Sequence, residues 1–180
     1  MRWIWIDRFT VFERGRRATA VKCVTLAEEH LHDHVPGYPV HPPTLMIEGM
    51  AQTAGVLVGD AFDFAEKVIL AKVTRATFHE RVRPGDRIQF DAEIQGEVRA
   101  EGAAVSGRIS RNGDLVGEIE LMFAHLDASR APVEPGKGNF VFNDDFVRLL
   151  RMRTLRTLGA DVPSRDPAGL PGQEGTSPNA

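Results

Sequence analysis

Cysteine is nearly missing from this chain: Cys23 is the single one in 180 residues. That excludes an internal disulfide and leaves no thiolate metal cluster, so Cys23 reads as a small strand residue. An excess of one charge is also lacking. Twenty-two basic residues face 25 acidic ones, a net charge of −3, and no global basic field points to nucleic acid. There is no glycine-rich phosphate loop, no dinucleotide fingerprint and no internal repeat. The apolar run Trp3-Ile4-Trp5-Ile6 stops at Asp7, too short for a signal peptide or a membrane span. The expectation is a cytoplasmic protein with neither nucleic acid nor membrane as partner. Its length suits one domain with extras, enough to bury a real core.

What the chain does have is proline in one place. Pro36, Pro39, Pro42 and Pro43 fall within His34-Val35-Pro36-Gly37-Tyr38-Pro39-Val40-His41-Pro42-Pro43. Each fixes its own φ and biases the preceding residue to extended backbone, so this loop is stiff and ordered. Pro43 suits the first position of a helix, where a missing N–H costs nothing. Good helix formers, apolar on most faces, run from Thr44 to about Phe62; a helix apolar all round is a buried one. Thr44, Glu48, Gln52, Gly55 and Gly59 share one of its faces. A carboxylate and an amide do not belong in such a helix unless something uses or satisfies them. A neutral carboxylic acid opposite a neutral imidazole is a usable acid–base pair, which makes His34 and Glu48 candidates. The plainer alternative pairs Glu48 with an arginine and leaves His34 an ordinary loop histidine.

Around this centre the pattern predicts strands. Residues 3–12 and 16–25 read as two strands joined at Glu13-Arg14-Gly15, and Glu28 to His32 as a short helical turn. Lys67 to Phe78 is a strand, and Pro84-Gly85-Asp86 a turn. Ile88, Phe90, Ala92 and Ile94 alternate with Arg87, Gln89, Asp91 and Glu93 in a half-buried strand. Ala103 to Arg111 and Leu115 to Leu126 form a hairpin about Asn112-Gly113. One buried helix among successive antiparallel strands is an α+β arrangement, placed here in a domain over residues 1–128. A linker over 129–142 follows, with Pro132, Pro135, Gly136 and Gly138. Residues 143–159 read as a second helix, with Asn143 as its cap, Gly159 as its stop, and Arg148, Arg151, Arg153 and Arg156 making it basic. The Pro/Gly/Ser-rich tail from 160 to 180 is expected to be disordered.

His34-Val-Pro-Gly, Pro39-Val40, Pro42, then Glu48 with Ala51-Gln52 resembles the signature of the β-hydroxyacyl-acyl carrier protein dehydratases of fatty-acid synthesis, which are hot-dog-fold enzymes. Asp7-Arg8, Lys22, Val24-Thr25 and Arg83-Pro84-Gly85-Asp86 extend the resemblance over about Trp5 to Asp127. It implies a curved antiparallel sheet wrapped around the central helix, a homodimer, a phosphopantetheine-linked substrate on acyl carrier protein, and neither metal nor redox cofactor. It implies that His34 takes the α-proton of a 3-hydroxyacyl thioester. Glu48, from the other subunit, would protonate the departing hydroxyl. Gln52 would orient groups around the pair, and the Gly37 backbone would shape the site. Glutamate rather than aspartate is similar to the branch without isomerase activity. Two residues depart from the family pattern. Val35 replaces phenylalanine, and Pro43 stands where the family has a glycine whose N–H is assigned to the thioester carbonyl. Removing one such donor costs about 10²–10³ in rate in other enzymes, unless Thr44 N–H substitutes.

Other readings stand beside this one. The same fold performs thioester hydrolysis, with Glu48 activating water. With Pro43 in place, a non-enzymatic acyl-binding or partner subunit is a third. His32, His34 and His41 with Asp33 resemble a metal-ligand set, but His34 has the better assignment and no metal is expected. His30 and His125 read as surface or strand residues. Lys72, Arg75, Arg81 and Arg83 suit the phosphate of a carrier arm or plain solvation. The basic helix over 143–159 suits a solvated face or an acidic carrier protein.

Overall fold

A computed structural model describes residues 4–64, 67–99 and 102–126. The expected linker over 129–142, the basic helix over 143–159 and the tail over 160–180 lie outside them. The described chain runs β1 (Arg8–Glu13), β2 (Arg17–Cys23), α1 (His30–Asp33), α2 (Pro43–Ala61), β3 (Lys67–Phe78), β4 (Arg87–Arg99), β5 (Gly102–Arg111) and β6 (Asp114–Leu126). The six strands form one antiparallel sheet in the order β1-β2-β4-β5-β6-β3. One long helix lies on it, the α+β hot-dog arrangement.

Local chemistry explains the connections. Asn112 and Gly113 both have positive φ, 53° and 109°, the two-residue turn whose twist matches the paired strands. Arg83-Pro84-Gly85-Asp86 is a Pro-Gly turn with Gly85 at φ +96°, the type II pattern. It is closed by Asp86 N–H to Arg83 O (3.1 Å) and tied to the end of β2 by Gly85 N–H to Val24 O (2.9 Å) and Val24 N–H to Asp86 O (2.9 Å). In β4, Ile88, Phe90, Ala92 and Ile94 are buried while Arg87 and Glu93 are exposed.

The first strand starts later than its composition suggests. Residues 4–7 are irregular, and β1 begins at Arg8. The reason is a competing partner: Trp5 N–H donates to Gln52 Oε1 on α2 at 2.7 Å, outside any strand ladder.

The core is the interface between α2 and the sheet. Met46, Met50, Ala54, Leu57 and Val58 meet Ala20, Ile88, Phe90, Ile109 and Leu121 there, all buried. Two glycines set the approach. A Cβ on Gly49 would lie 2.5 Å from Phe90 Cζ, and one on Gly107 would lie 2.6 Å from the Met50 thioether. The Phe90 ring is buried and has little room to shift, whereas the end of Met50 is a flexible side chain. We expect Gly49→Ala to overpack this contact and cost about 1–3 kcal/mol. In urea denaturation this appears as a lower midpoint at unchanged slope.

Candidate active site

The site is built where the stiff loop meets the start of α2. His34 closes α1, its N–H donating to His30 O at 3.1 Å. Val35-Pro36-Gly37-Tyr38 then turns back with Tyr38 N–H on Val35 O (2.9 Å) and Gly37 at φ +76°. Proline second and left-handed glycine third again make the type II pattern. His41 N–H donates to Val82 O (2.8 Å), anchoring the loop to the segment before β4. Pro42 caps α2 and Pro43 is its first residue.

His34 and Thr44 line one cleft of about 820 Å³ together with Trp5, Glu28, His30 and Leu45. The helix start is unusual in its donors. Pro43 has no N–H, and Leu45 and Met46 N–H both donate to Pro42 O (3.0 and 3.2 Å). Thr44 N–H is left without a protein acceptor among the described residues. It sits at the positive end of the helix dipole, a place suited to an anionic oxygen.

Glu48 lies one turn further along α2, half-buried. Among the described residues it pairs with no arginine. Gln52 Nε2 donates to Glu48 Oε1 at 2.8 Å, while Gln52 Oε1 accepts the Trp5 N–H. The amide is thus oriented from both ends, with its Nε2 on the carboxylate. Among the described residues no hydrogen bond joins His34 to Glu48, and Glu48 does not line the cleft that His34 lines.

The FabA-like domain model matches residues 3–120. The chain belongs to the FabA-like family. Its curated relatives include the 3-hydroxyacyl-[acyl-carrier-protein] dehydratase FabZ of Pelotomaculum thermopropionicum, 40% identical over 127 residues that span 68% of this chain and 87% of that one. The enzyme of the same name from Thiobacillus denitrificans is 40% identical over 124 residues, 67% of this chain and 85% of that one. Among solved structures, the dehydratase heterocomplex ApeI:P from Xenorhabdus doucetiae aligns at TM-score 0.60 and 14% identity, covering 71% of this chain and 86% of that chain. A mutant hypothetical thioesterase from Streptococcus pneumoniae aligns at 0.53 and 11%, covering 66% and 88%. These two share the fold.

This FabA-like chain also holds a polar cluster that its spacing did not reveal. His41 is 1% exposed, and its Nδ1 lies 3.1 Å from His30 Nε2. His30 is half-buried rather than a surface residue. His41 meets His30, not His32 or His34, and His32 Nε2 instead bonds Leu26 O at 2.8 Å. Lys22, also buried, forms an ion pair with Glu28 at 3.0 Å. Burial pushes the His41 imidazole down to about 4, with the neighbouring His30 and the Lys22 ammonium adding to the effect. Burial lowers His30 as well. For Glu28, burial alone acts upward; the Thr25 N–H and the Lys22 ammonium outweigh it and hold the carboxyl below its usual range. Of the cations weighed for a carrier arm, Arg81 Nη1 and Arg83 Nη2 both donate to the Tyr38 hydroxyl, and Arg75 on β3 pairs with Glu120. His125 is a strand residue, its ring edge-on to Phe62.

Two outcomes follow. Replacing Gln52 with leucine removes the donor to Glu48 and the acceptor of the Trp5 N–H, at a cost of about 1–3 kcal/mol in denaturant unfolding. Neutral His41 links stability to pH. Its folded value lies below the ordinary one of 6.5, so the unfolded chain binds the extra proton as pH falls from 6.5 to 4. Stability is full above that window and drops through it by up to about 3 kcal/mol. In chelator-treated protein, His41→Gln should flatten this part of the stability–pH profile.

Proposed function

We propose that the chain removes water from a 3-hydroxyacyl thioester on acyl carrier protein to give the trans-2-enoyl thioester, in fatty-acid or related acyl-chain synthesis. The observation that carries this reading is the cleft itself. A histidine and a helix-start N–H without an acceptor among the described residues share it, in a chain 40% identical over 127 residues to a curated dehydratase of that reaction.

The roles follow from the chemistry. The His34 imidazole takes the proton from the carbon between thioester and hydroxyl. Charge gathers on the thioester oxygen, where Thr44 N–H and the helix dipole stabilise it. The C–O bond to the hydroxyl breaks as Glu48 supplies its proton, and water leaves. His34 gains one proton and Glu48 loses one, so a proton returned from His34 to Glu48 resets the pair. No electrons leave the substrate, so the elimination is redox-neutral. Gly37 shapes the loop under His34, and Gln52 holds Glu48. The proposed substrate arm is 4′-phosphopantetheine.

The acid comes from a second copy of the chain. Support lies at the end of the sheet. β3 is an open edge, and Leu70 and Val73 on it, with Met122 on β6 beside it, are exposed apolar residues. Such an edge invites pairing with another strand, and a two-fold interface would present the same patch twice. Within one chain His34 and Glu48 are not joined, which fits Glu48 of the partner subunit completing the cleft. Among the described residues no helix is long and apolar enough to cross a membrane; we place the protein in the cytoplasm.

His34→Ala and Glu48→Gln should each abolish most enoyl-thioester hydration followed by absorbance, with the fold intact by circular dichroism. Mixed and allowed to exchange subunits, the two inactive proteins should recover roughly a quarter of wild-type activity, because half the dimers then hold one complete site. No recovery on confirmed exchange overturns the shared site. Full activity in both single variants overturns the roles of His34 and Glu48.

A further inference from the structure

We infer that Glu28, His30 and His41 form a binding site for one divalent transition-metal ion of the zinc class. The inference does not depend on the dehydratase reading, because none of the three residues is assigned a step in it.

The geometry is close to what such an ion needs. One ligand atom from each residue lies within 4.8 Å of the others. His30 Nε2 and His41 Nδ1 are 3.1 Å apart, and Glu28 Oε2 is 3.9 Å from His30 Nε2. Zinc bound at about 2.0–2.2 Å in tetrahedral geometry separates its ligand atoms by about 3.3–3.5 Å. Small side-chain shifts bring all three to that spacing. Two imidazoles and one carboxylate are also a donor set that zinc accepts with an open fourth position. Glu28 and His30 line the 820 Å³ cleft, which provides an entry path and leaves that position to water.

The surroundings hold the ligands in place. Glu28 Oε1 accepts the Thr25 N–H at 2.8 Å. The His41 main chain is fixed on Val82, and its ring is wholly buried. His41 Nε2 is buried without a hydrogen-bond partner among the described residues, so its ring is engaged only on the Nδ1 side. In the metal-free cluster the two imidazoles share one N–H between facing nitrogens. An ion satisfies both lone pairs and leaves each ring's proton on its outer nitrogen.

One neighbour opposes the ion. Lys22 Nζ sits 3.0 Å from Glu28 Oε2 and over the Trp5 ring, so a like charge stands beside the site. That disfavours hard cations, which depend on carboxylate charge, more than an ion drawn to imidazole nitrogen.

The test uses the full-length, untagged, chelator-stripped protein. Titration calorimetry with Zn²⁺ should show one ion per chain, and Mg²⁺ none. Co²⁺ should give the intense visible absorption of a four-coordinate ion. His30→Ala and His41→Gln should each weaken Zn²⁺ binding by more than the roughly 10–100-fold that loss of an outer-shell partner costs. Lys22→Met should strengthen it. His32→Ala should leave it unchanged. Half-buried His30 keeps the test open if the core variant at His41 fails to fold. Absence of saturable Zn²⁺ binding overturns the site. So does binding that survives His30→Ala in folded protein, or binding abolished by His34→Ala but retained in both His30→Ala and His41→Gln.

Discussion

The close seating of α2 on the sheet is the contact on which the rest depends. Gly49 packs against the Phe90 ring, where a Cβ would come within 2.5 Å, and Gly107 against the movable end of Met50. The Gly49 contact limits how high the helix rides on the sheet. The position of the helix in turn sets where Pro43 and Thr44 emerge, at the edge of the cleft that His34 lines. The same seating buries every residue from Gly49 to Gly59 yet leaves Thr44 exposed and Glu48 half-buried. The candidate site therefore sits on the first turn and a half of α2, before the helix becomes wholly buried.

Under the proposed reading, Pro43 stiffens this arrangement as well as removing a donor. A glycine at that position would bring one more N–H into the helix start, and a looser backbone with it. Here Pro42 O takes the Leu45 and Met46 N–H groups, and proline removes its own, so the donor capacity of the first turn reduces to Thr44 N–H. One donor on a rigid frame loses the help of a second. The backbone has less freedom to lose when substrate orders it, and its helix dipole is undiminished. Preorganisation of this kind is what electrostatic stabilisation requires.

Much of the fold was legible because it rests on local rules. Period-two burial marked β4, Asn112-Gly113 marked the β5–β6 hairpin, and Pro43 marked the start of α2; each depends on residues a few positions apart. The turn at Gly37 was not foreseen as such, although Pro36-Gly37 is the local pattern that makes it. What escaped was whatever distant residues decide. The Trp5 amide leaves the strand pattern because Gln52, 47 residues on, accepts it. That bond shortens β1, and the same side chain, through its own amide, gives Glu48 a partner other than the arginine a pattern suggests. His41 looks like one of three histidines on an extended loop, yet the anchor on Val82 turns it toward His30. Spacing along the chain carries no record of that turn.

The two histidines also explain how the chain tolerates so much polarity beneath its cleft. Lys22 is buried, which is costly unless its charge is answered. Glu28 answers it, and the Trp5 ring covers its other side. Burial, with that ammonium nearby, holds His30 and His41 below the ordinary imidazole range, and their facing nitrogens meet at 3.1 Å. The cluster then carries one positive and one negative charge, and α1 stands on it with His34 at its end. His30 and His34 are four residues apart, hence on one face of the turn. The proposed base thus stands one helical turn from this cluster, on the face that His30 shares.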